Sequence, residues 1–257
     1  NIGIIYQEAN YFQLEHRLRD IYKQLNLTSI EELYLKAQGG LDPRFRTLLL
    51  DQATNNETSF FRDSHIFKTL VGKVLPEWVQ KHGGKSHVKI WCAASSSGQE
   101  VYSLIMELEE AKKQGAALPS YSILATDISE AILTRAREGK YSQLEVQRGL
   151  PARLLVQYFQ KAGDNIWEFK PEFKRTVTFQ KLNLLEIPEY LGPFDVVMVR
   201  NVLIYQDIEN KKLIIEKIRK NMNTGGIFLL GAAETLFGLT DKFTHQLMND
   251  CIFYYFQ

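Results

Sequence analysis

From Val88 onward the chain alternates between short apolar runs and amphipathic stretches, and this alternation restricts the available folds more than any other feature. The runs "VKIWCAA", "YSILATD", "PFDVVMVRN" and "IFLLGAAE" have the β-branched and aromatic content of buried strands. Between them, "SSSGQEVYSLIMELEEAKKQG", "SEAILTRAREGKY" and "QDIENKKLIIEKIRKNM" carry apolar residues at helical spacing, and Gly225-Gly226 turns the chain into the fourth run. Strands separated by helices pair in parallel through right-handed crossovers, which cover both faces of a sheet. The predicted class is α/β with a mostly parallel sheet. A last run, "CIFYYF", follows "TLFGLTDKFTHQLMND", which lacks a strong helical period; a closing antiparallel strand fits there.

One stretch interrupts the rhythm. In "RGLPARLLVQYFQKAGDNIWEFKPEFKRTVTFQKLNLL", the runs VQYFQ, IWEF and TVTFQ are short and β-type, punctuated by Gly-Asp-Asn and Pro. They predict a small antiparallel excursion between the second and third major strands, at about residues 145–180. Upstream, the texture is helical. "YFQLEHRLRDIYKQLNL" places Phe12, Leu14, Leu18, Ile21, Tyr22 and Leu25 near a 3.6 period, with His16, Arg17, Arg19 and Lys23 between them. "SIEELYLKAQ" follows a cap at Thr28 or Ser29 and ends at Gly39-Gly40; "PRFRTLLLDQAT" is a third short helix. The expected organisation is a helical domain over residues 1–50, then a second domain over 51–257 that opens with a linker, 51–62.

Ligands of open α/β sheets bind beyond the carboxyl ends of the strands. After the first strand come Ala94, Ser95, Ser96, Ser97 and Gly98, then Gln99 and Glu100 entering a helix. Small residues there let backbone approach a ligand, and the helix start supplies unpaired N–H groups. This is not a GxGxxG, and a plain connector explains it equally well. After the second strand stands Asp127, where an acidic residue accepts hydrogen bonds from ribose hydroxyls; its alternative role, shared with Ser129, is capping the next helix. After the third come Arg200 and Asn201, then Tyr205; a polar pair directly after VVMV needs partners, because unpaired buried groups are costly. Together the strand ends point to a nucleoside-like cofactor.

Net charge is +1, so no global basic field argues for nucleic acid. Cys92 and Cys251 lie far apart inside apolar runs and are expected as reduced, buried thiols. No stretch approaches the ~20 apolar residues of a membrane span, and no signal-peptide pattern is found, so a cytoplasmic location without membrane insertion is expected. His65, His82, His87 and His245 lack paired spacing, and no metal site is expected. The chain opens on Asn1 rather than methionine, which leaves open whether it is a segment of a longer protein.

The segments "NNETSFFRD", "WCAASSSGQEVYSL", "ATDISEAILTRAREGKYS", "RGLP", "KLNLL", "FDVVMVRNVLIYQD" and "GGIFLLGAAETL" resemble, in order, signatures of the chemotaxis receptor methyltransferases, the CheR family. The resemblance implies a class I S-adenosylmethionine-dependent methyltransferase fold, Rossmann-like, with a helical N-terminal domain and an inserted antiparallel β-subdomain. It implies methyl transfer to glutamate side chains on the cytoplasmic helices of chemoreceptors, leaving S-adenosylhomocysteine. By motif, Asn56, Thr58 and Arg62 line cofactor and active site; Glu100 and Asp127 hold the methionine and adenosine portions; Asn183 and Leu184 flank the adenine; Arg200, Asn201 and Tyr205 close the reaction centre, with Arg62 and Tyr205 as its catalytic pair. Phe60 and Phe61 are expected to exclude water beside Arg62; His16, Arg17, Arg19 and Lys23 either meet a receptor's acidic helices or form a solvated helix face. Some members tether to a receptor's C-terminal pentapeptide through the β-subdomain; whether residues 145–180 do so here stays open. A monomer is expected. The chain departs from the family where Gly-Glu-Glu-Pro is usual and it has Gly98-Gln99-Glu100-Val101, and where IYFD is common and it has Gln206. A nicotinamide-dependent dehydrogenase, which the absent glycine fingerprint disfavours, and a non-catalytic adaptor are the alternatives.

Overall fold

The computed structural model describes Gly3, residues 11–40 and residues 42–257. Three helices come first: α1 (Tyr11–Gln24), α2 (Ile30–Gln38) and α3 (Pro43–Ala53). The Ser29 hydroxyl caps α2 by accepting the Glu32 N–H, and Asp42 caps α3 by accepting the Phe45 N–H. Ile21, Leu33 and Phe45 form a small core of their own, with Leu18, Tyr22 and Leu25 packed on it. The apolar period of α1 runs further than its burial. Phe12 is 78% exposed, because the packing contacts of α1 fall in its second half.

The remainder surrounds a seven-stranded sheet. In chain order its parts are α4 (Ser64–Thr69), running through a π-turn into α5 (Leu75–Lys81); β1 (His87–Ala93), α6 (Gln99–Lys113), β2 (Ser120–Asp127) and α7 (Glu130–Glu138); β3 (Lys140–Ser142), α8 (Gln143–Gln147), α9 (Ala152–Tyr158), β4 (Phe159–Gly163) and β5 (Ile166–Phe169); then β6 (Val177–Lys181), β7 (Phe194–Val199), α10 (Ile208–Arg219), β8 (Met222–Leu230), β9 (Phe243–Met248) and β10 (Cys251–Phe256). The large sheet has the order β6-β2-β1-β7-β8-β10-β9. Its first five strands are parallel, and β10 enters antiparallel between β8 and β9.

Successive side chains of a strand point to opposite faces, and the central strands fill both. Ile90, Cys92, Val196, Met198, Ile227 and Leu229 join the core on one face. Their neighbours Trp91, Ala93, Val197, Val199, Phe228 and Leu230 join the core on the other. Near-continuous apolar runs are therefore what these strands require. Both cysteines are free and buried. At the amino end of the strands, Asp195 is fully buried and accepts from Lys85 Nζ (2.6 Å), Lys89 N (2.9 Å) and Asn223 Nδ2 (2.7 Å). That end is fastened.

The interrupting stretch differs from expectation in two ways. TVTFQ forms β6, the parallel edge strand beside β2, and not part of the excursion. An edge strand is only half covered, so its pattern is as mixed as that of a small hairpin. In VQYFQ, residues 156–158 instead complete α9, whose Leu154 and Tyr158 turn inward one helical turn apart. The antiparallel unit has the order β3-β5-β4 and occupies residues 140–169, earlier than the expected 145–180. Gly225-Gly226 lies within β8, which starts at Met222.

Candidate active site

The carboxyl ends of β1, β2 and β7 open into a cleft of about 1000 Å³, counting its mouth. Asn56, Thr58, Arg62, Glu100, Asp127, Asn183, Leu184, Arg200, Asn201 and Tyr205 all line it. Five separate chain segments converge there, so the grouping is a product of the topology.

The turn after β1 is the floor. Ala94 (φ 57°), Ser96 (φ 50°) and Gly98 (φ 91°) adopt left-handed backbone, a conformation that non-glycine residues hold mainly where the surroundings impose it. Asp127 imposes part of it, since one carboxylate oxygen accepts the Ser96 N–H (2.9 Å) and the other the Ser129 N–H (3.0 Å). The cap of α7 is Ser129, whose hydroxyl accepts the Ile132 N–H. Burial pushes the Asp127 carboxyl above its ordinary value, held back by the N–H groups of Ser129, Ser96 and Ile128.

The back wall is a charge cluster. The Arg200 guanidinium, its side chain 1% exposed, reaches Glu100 (2.8 Å) and Asp63 (2.7 Å), and donates to the Arg62 carbonyl (3.0 Å). It lies 5.3 Å from the centre of the Phe67 ring. Burial drives the Glu100 carboxyl upward and the Arg200 charge pulls it back. Two polar atoms in this wall, Ser95 Oγ and Arg200 Nε, are buried without a hydrogen-bond partner. Such orphans are rare.

The linker crosses above. Ser96 Oγ donates to the Asn56 carbonyl (2.9 Å), Ser129 Oγ to Asp51 (2.6 Å), and the Phe61 N–H to Ser103 Oγ (2.9 Å). Here the expected drying role of the two phenylalanines is corrected. Phe60 turns away from the cleft and stacks edge-on against Tyr141 (4.9 Å) and Phe159 (5.6 Å) of the antiparallel unit. Phe61 packs on Phe67, and the aromatic ring in the cleft wall is that of Phe67. Phe61 and Asp63 both have positive φ, and these backbone reversals point consecutive side chains in different directions. Gly149 of "RGLP" permits the Phe60 contact: a Cβ there would lie 2.1 Å from the Phe60 carbonyl oxygen. Arg62 is exposed on the rim, with one bond to the Glu57 carbonyl (3.4 Å).

Two features of the wall were not anticipated. Glu234, in the loop after β8, accepts five backbone N–H groups. Asn201 (2.7 Å) and Gly231 (2.8 Å) bond one oxygen; Leu203 (2.8 Å), Val202 (3.0 Å) and Ile204 (3.3 Å) bond the other. It thereby shapes the turn that carries Asn201 and Tyr205. Asp63 is the second. Its only signal was adjacency to "FFR", and the motif containing Glu234 gave no hint of a partner. Arg17, expected to face a receptor, instead donates to the carbonyl of Thr54 (3.0 Å) and to Asn55 Oδ1 (3.3 Å), and so binds α1 to the linker. Arg19 pairs with Glu15 on its own helix.

A parallel sheet with this strand order, an antiparallel strand inserted near its edge, and acidic residues beyond its first two strands define the class I S-adenosylmethionine-dependent methyltransferase fold. Residues 56–251 match the family model "CheR methyltransferase, SAM binding domain". The chain is 40% identical over 253 residues to Chemotaxis protein methyltransferase 1 of Vibrio cholerae serotype O1, covering 98% of this chain and 91% of the relative. It is 39% identical over 254 residues to Chemotaxis protein methyltransferase 1 of Pseudomonas aeruginosa, covering 97% and 90%. The Borreliella burgdorferi chemotaxis protein methyltransferase is 32% identical over 244 residues, covering 93% and 85%. The chain belongs to the CheR methyltransferase family.

Proposed function

We propose that this chain transfers methyl groups from S-adenosylmethionine to glutamate carboxylates of chemoreceptors, forming glutamate methyl esters. The observation that carries the proposal is the convergence of Glu100, Asp127, Asn183, Leu184 and the linker residues on one cleft. These groups fit the ligand. Asp127 suits ribose hydroxyls, Glu100 an amino group, and Asn183 and Leu184 an adenine edge and face. When bound, the donor supplies a methyl group on a positively charged sulfur.

The substrate needs no general base. A glutamate side chain has a pKa of about 4.3 and is already an anion at neutral pH. The protein's tasks are to hold that carboxylate in line and to exclude water. Arg62 is suited to the first by its planar fork of donors, and Tyr205 by its hydroxyl. Arg200 is already committed to Glu100 and Asp63, so its part is to keep Glu100 in place.

Residues 1–50 are assigned the receptor-facing side, and residues 51–257 the catalytic side. His16, Arg19 and Lys23 are exposed on α1, which supports contact with acidic helices. Strand β4 lies at the edge of its sheet; an edge offers unpaired backbone to an extended peptide, in keeping with a receptor tail as ligand. The reading extends to a cytoplasmic monomer, as the family resemblance implies. Among the described residues no helix is long and apolar enough to cross a membrane.

The test is transfer of labelled methyl to receptor-containing membranes, released as methanol by base, alongside calorimetry with S-adenosylhomocysteine and with NAD. We expect base-labile label and binding of the first ligand alone. Binding of NAD, or label stable to base, would refute the proposal. Arg62→Ala should lose turnover with the fold intact.

A further inference from the structure

Tyr205 does not stand alone at the cleft. Its hydroxyl oxygen lies 2.7 Å from Nδ2 of Asn55, a linker residue on the same wall. The other end of that side chain, Oδ1, faces the Arg17 guanidinium of α1 (3.3 Å) and the Glu57 N–H (3.4 Å). Both of these groups can only donate. The amide of Asn55 therefore has one electrostatically sensible orientation: its carbonyl toward Arg17 and its NH2 toward Tyr205. In the bond to Asn55 the phenolic oxygen must accept, so the hydroxyl proton of Tyr205 is left for a different acceptor. The cleft, where an anionic side chain is to be held, supplies one.

We infer that Arg17 and Asn55 are positioning residues that fix the direction of the Tyr205 hydroxyl, presenting it to the substrate as a hydrogen-bond donor selective for a carboxylate. The inference rests on the proposed reaction, in which the substrate is an ionised glutamate. It adds that a side chain of the N-terminal helices sets the polarity of a group in the catalytic cleft. Arg17 is suited to this because two further contacts hold its guanidinium, to the Thr54 carbonyl (3.0 Å) and the Gln52 carbonyl (3.5 Å).

The isosteric variant Asn55→Asp reverses the polarity while keeping shape and strengthening the Arg17 contact. An aspartate accepts a hydrogen bond from the Tyr205 hydroxyl and leaves oxygen lone pairs facing the substrate. Asn55→Ala merely releases the hydroxyl to rotate. With labelled methyl transfer to membrane vesicles bearing an unmodified chemoreceptor of the source organism, kcat/KM should fall in the order parent, Asn55→Ala, Asn55→Asp. The last should be down roughly 10- to 100-fold, the worth of one charge-assisted hydrogen bond. In a Tyr205→Phe background the same Asp substitution should change the rate less than about 2-fold, since coupling disappears when the shared partner is gone. S-adenosylhomocysteine affinity, read by calorimetry, should be equal in parent and Asn55→Asp.

An equal loss from Asn55→Asp in both backgrounds would overturn the inference in favour of simple charge repulsion, and an unchanged rate in the Tyr205-containing background would overturn it outright. A parent chain that binds S-adenosylhomocysteine yet labels no receptor would instead remove the substrate assignment, and the inference with it.

Discussion

Replacing Glu234 by glutamine changes one oxygen to an NH2 group and leaves the volume almost untouched. In the parent, five N–H donors converge on the carboxylate, two on one oxygen and three on the other. The amide keeps one acceptor. If its oxygen serves the three donors of residues 202–204, its NH2 group confronts the N–H groups of Asn201 and Gly231. Gly231 sits close against this carboxylate: a Cβ on it would lie 2.8 Å from a Glu234 oxygen. A hydrogen bond to a charged acceptor contributes about 1.5–3 kcal/mol, and the half-exposed setting lets water recover part of two such losses. The net cost is about 2–3 kcal/mol. For a chain of this size that lowers Tm by about 4–12 °C if unfolding is global. If the turn opens locally, amide exchange at residues 201–204 should speed up roughly 30- to 150-fold, the same free energy read at one site. Hydrogen-exchange mass spectrometry on the 199–206 peptide, run beside a thermal melt, distinguishes the two cases, and methyl transfer should fall with the population of the open turn. Unchanged exchange and unchanged Tm would refute the claim that the carboxylate holds this wall.

Three further outcomes follow from the same structure. Burial alone would raise the Glu110 carboxyl, but hydrogen bonds from Tyr158, Arg153 and Gln157 outweigh it and hold the group at about 2, against an ordinary 4.5. The stability it contributes is therefore present above about pH 4.5 and disappears as pH falls toward 2; Glu110→Gln should cost about 3 kcal/mol at neutral pH and almost nothing near pH 2, measured by urea unfolding. Gly149→Ala adds a methyl group at φ 93° against the Phe60 carbonyl, so it should destabilise by roughly 2–4 kcal/mol and detach the linker's aromatic anchor, visible as faster proteolysis near residue 60. Asp127→Asn replaces an acceptor of two N–H groups with a half-donor and should weaken S-adenosylhomocysteine binding about tenfold or more in calorimetry; unaltered affinity would remove Asp127 from the cofactor's contacts.

The alternation of apolar runs with amphipathic stretches made the sheet legible in the sequence. A strand such as Phe194–Val199 is covered on both faces, and no polar residue other than one fully paired aspartate is tolerated along it. The strand-end polar residues were legible for the complementary reason: Arg200 and Asn201 follow that apolar run abruptly. Harder to read were positions whose environment comes from distant chain. Strand β6 is an edge and has a half-polar pattern that a hairpin shares. Arg17 has the composition of a solvated helix face, and only the arrival of residues 52–55 turns it into an anchor. Glu234 binds backbone groups, which have no side-chain signature, so no spacing rule could have paired it with residues 201–204. Adjacent Phe60 and Phe61 looked like a single apolar unit until positive φ at Phe61 separated them.

The order in which the last two strands pair has a consequence for biogenesis. Strand β9 is made before β10, yet among the described residues its only neighbour in the sheet is β10, which also supplies the bridge to β8. A nascent chain leaving the ribosome must therefore carry β9 with both rows of backbone groups open until later residues emerge. In that interval the exposed ribbon is a template for foreign strands. Its own sequence guards against this: Phe243–Met248 places threonine, histidine and glutamine side by side at its middle, which keeps the waiting segment hydrated until its partner is synthesised.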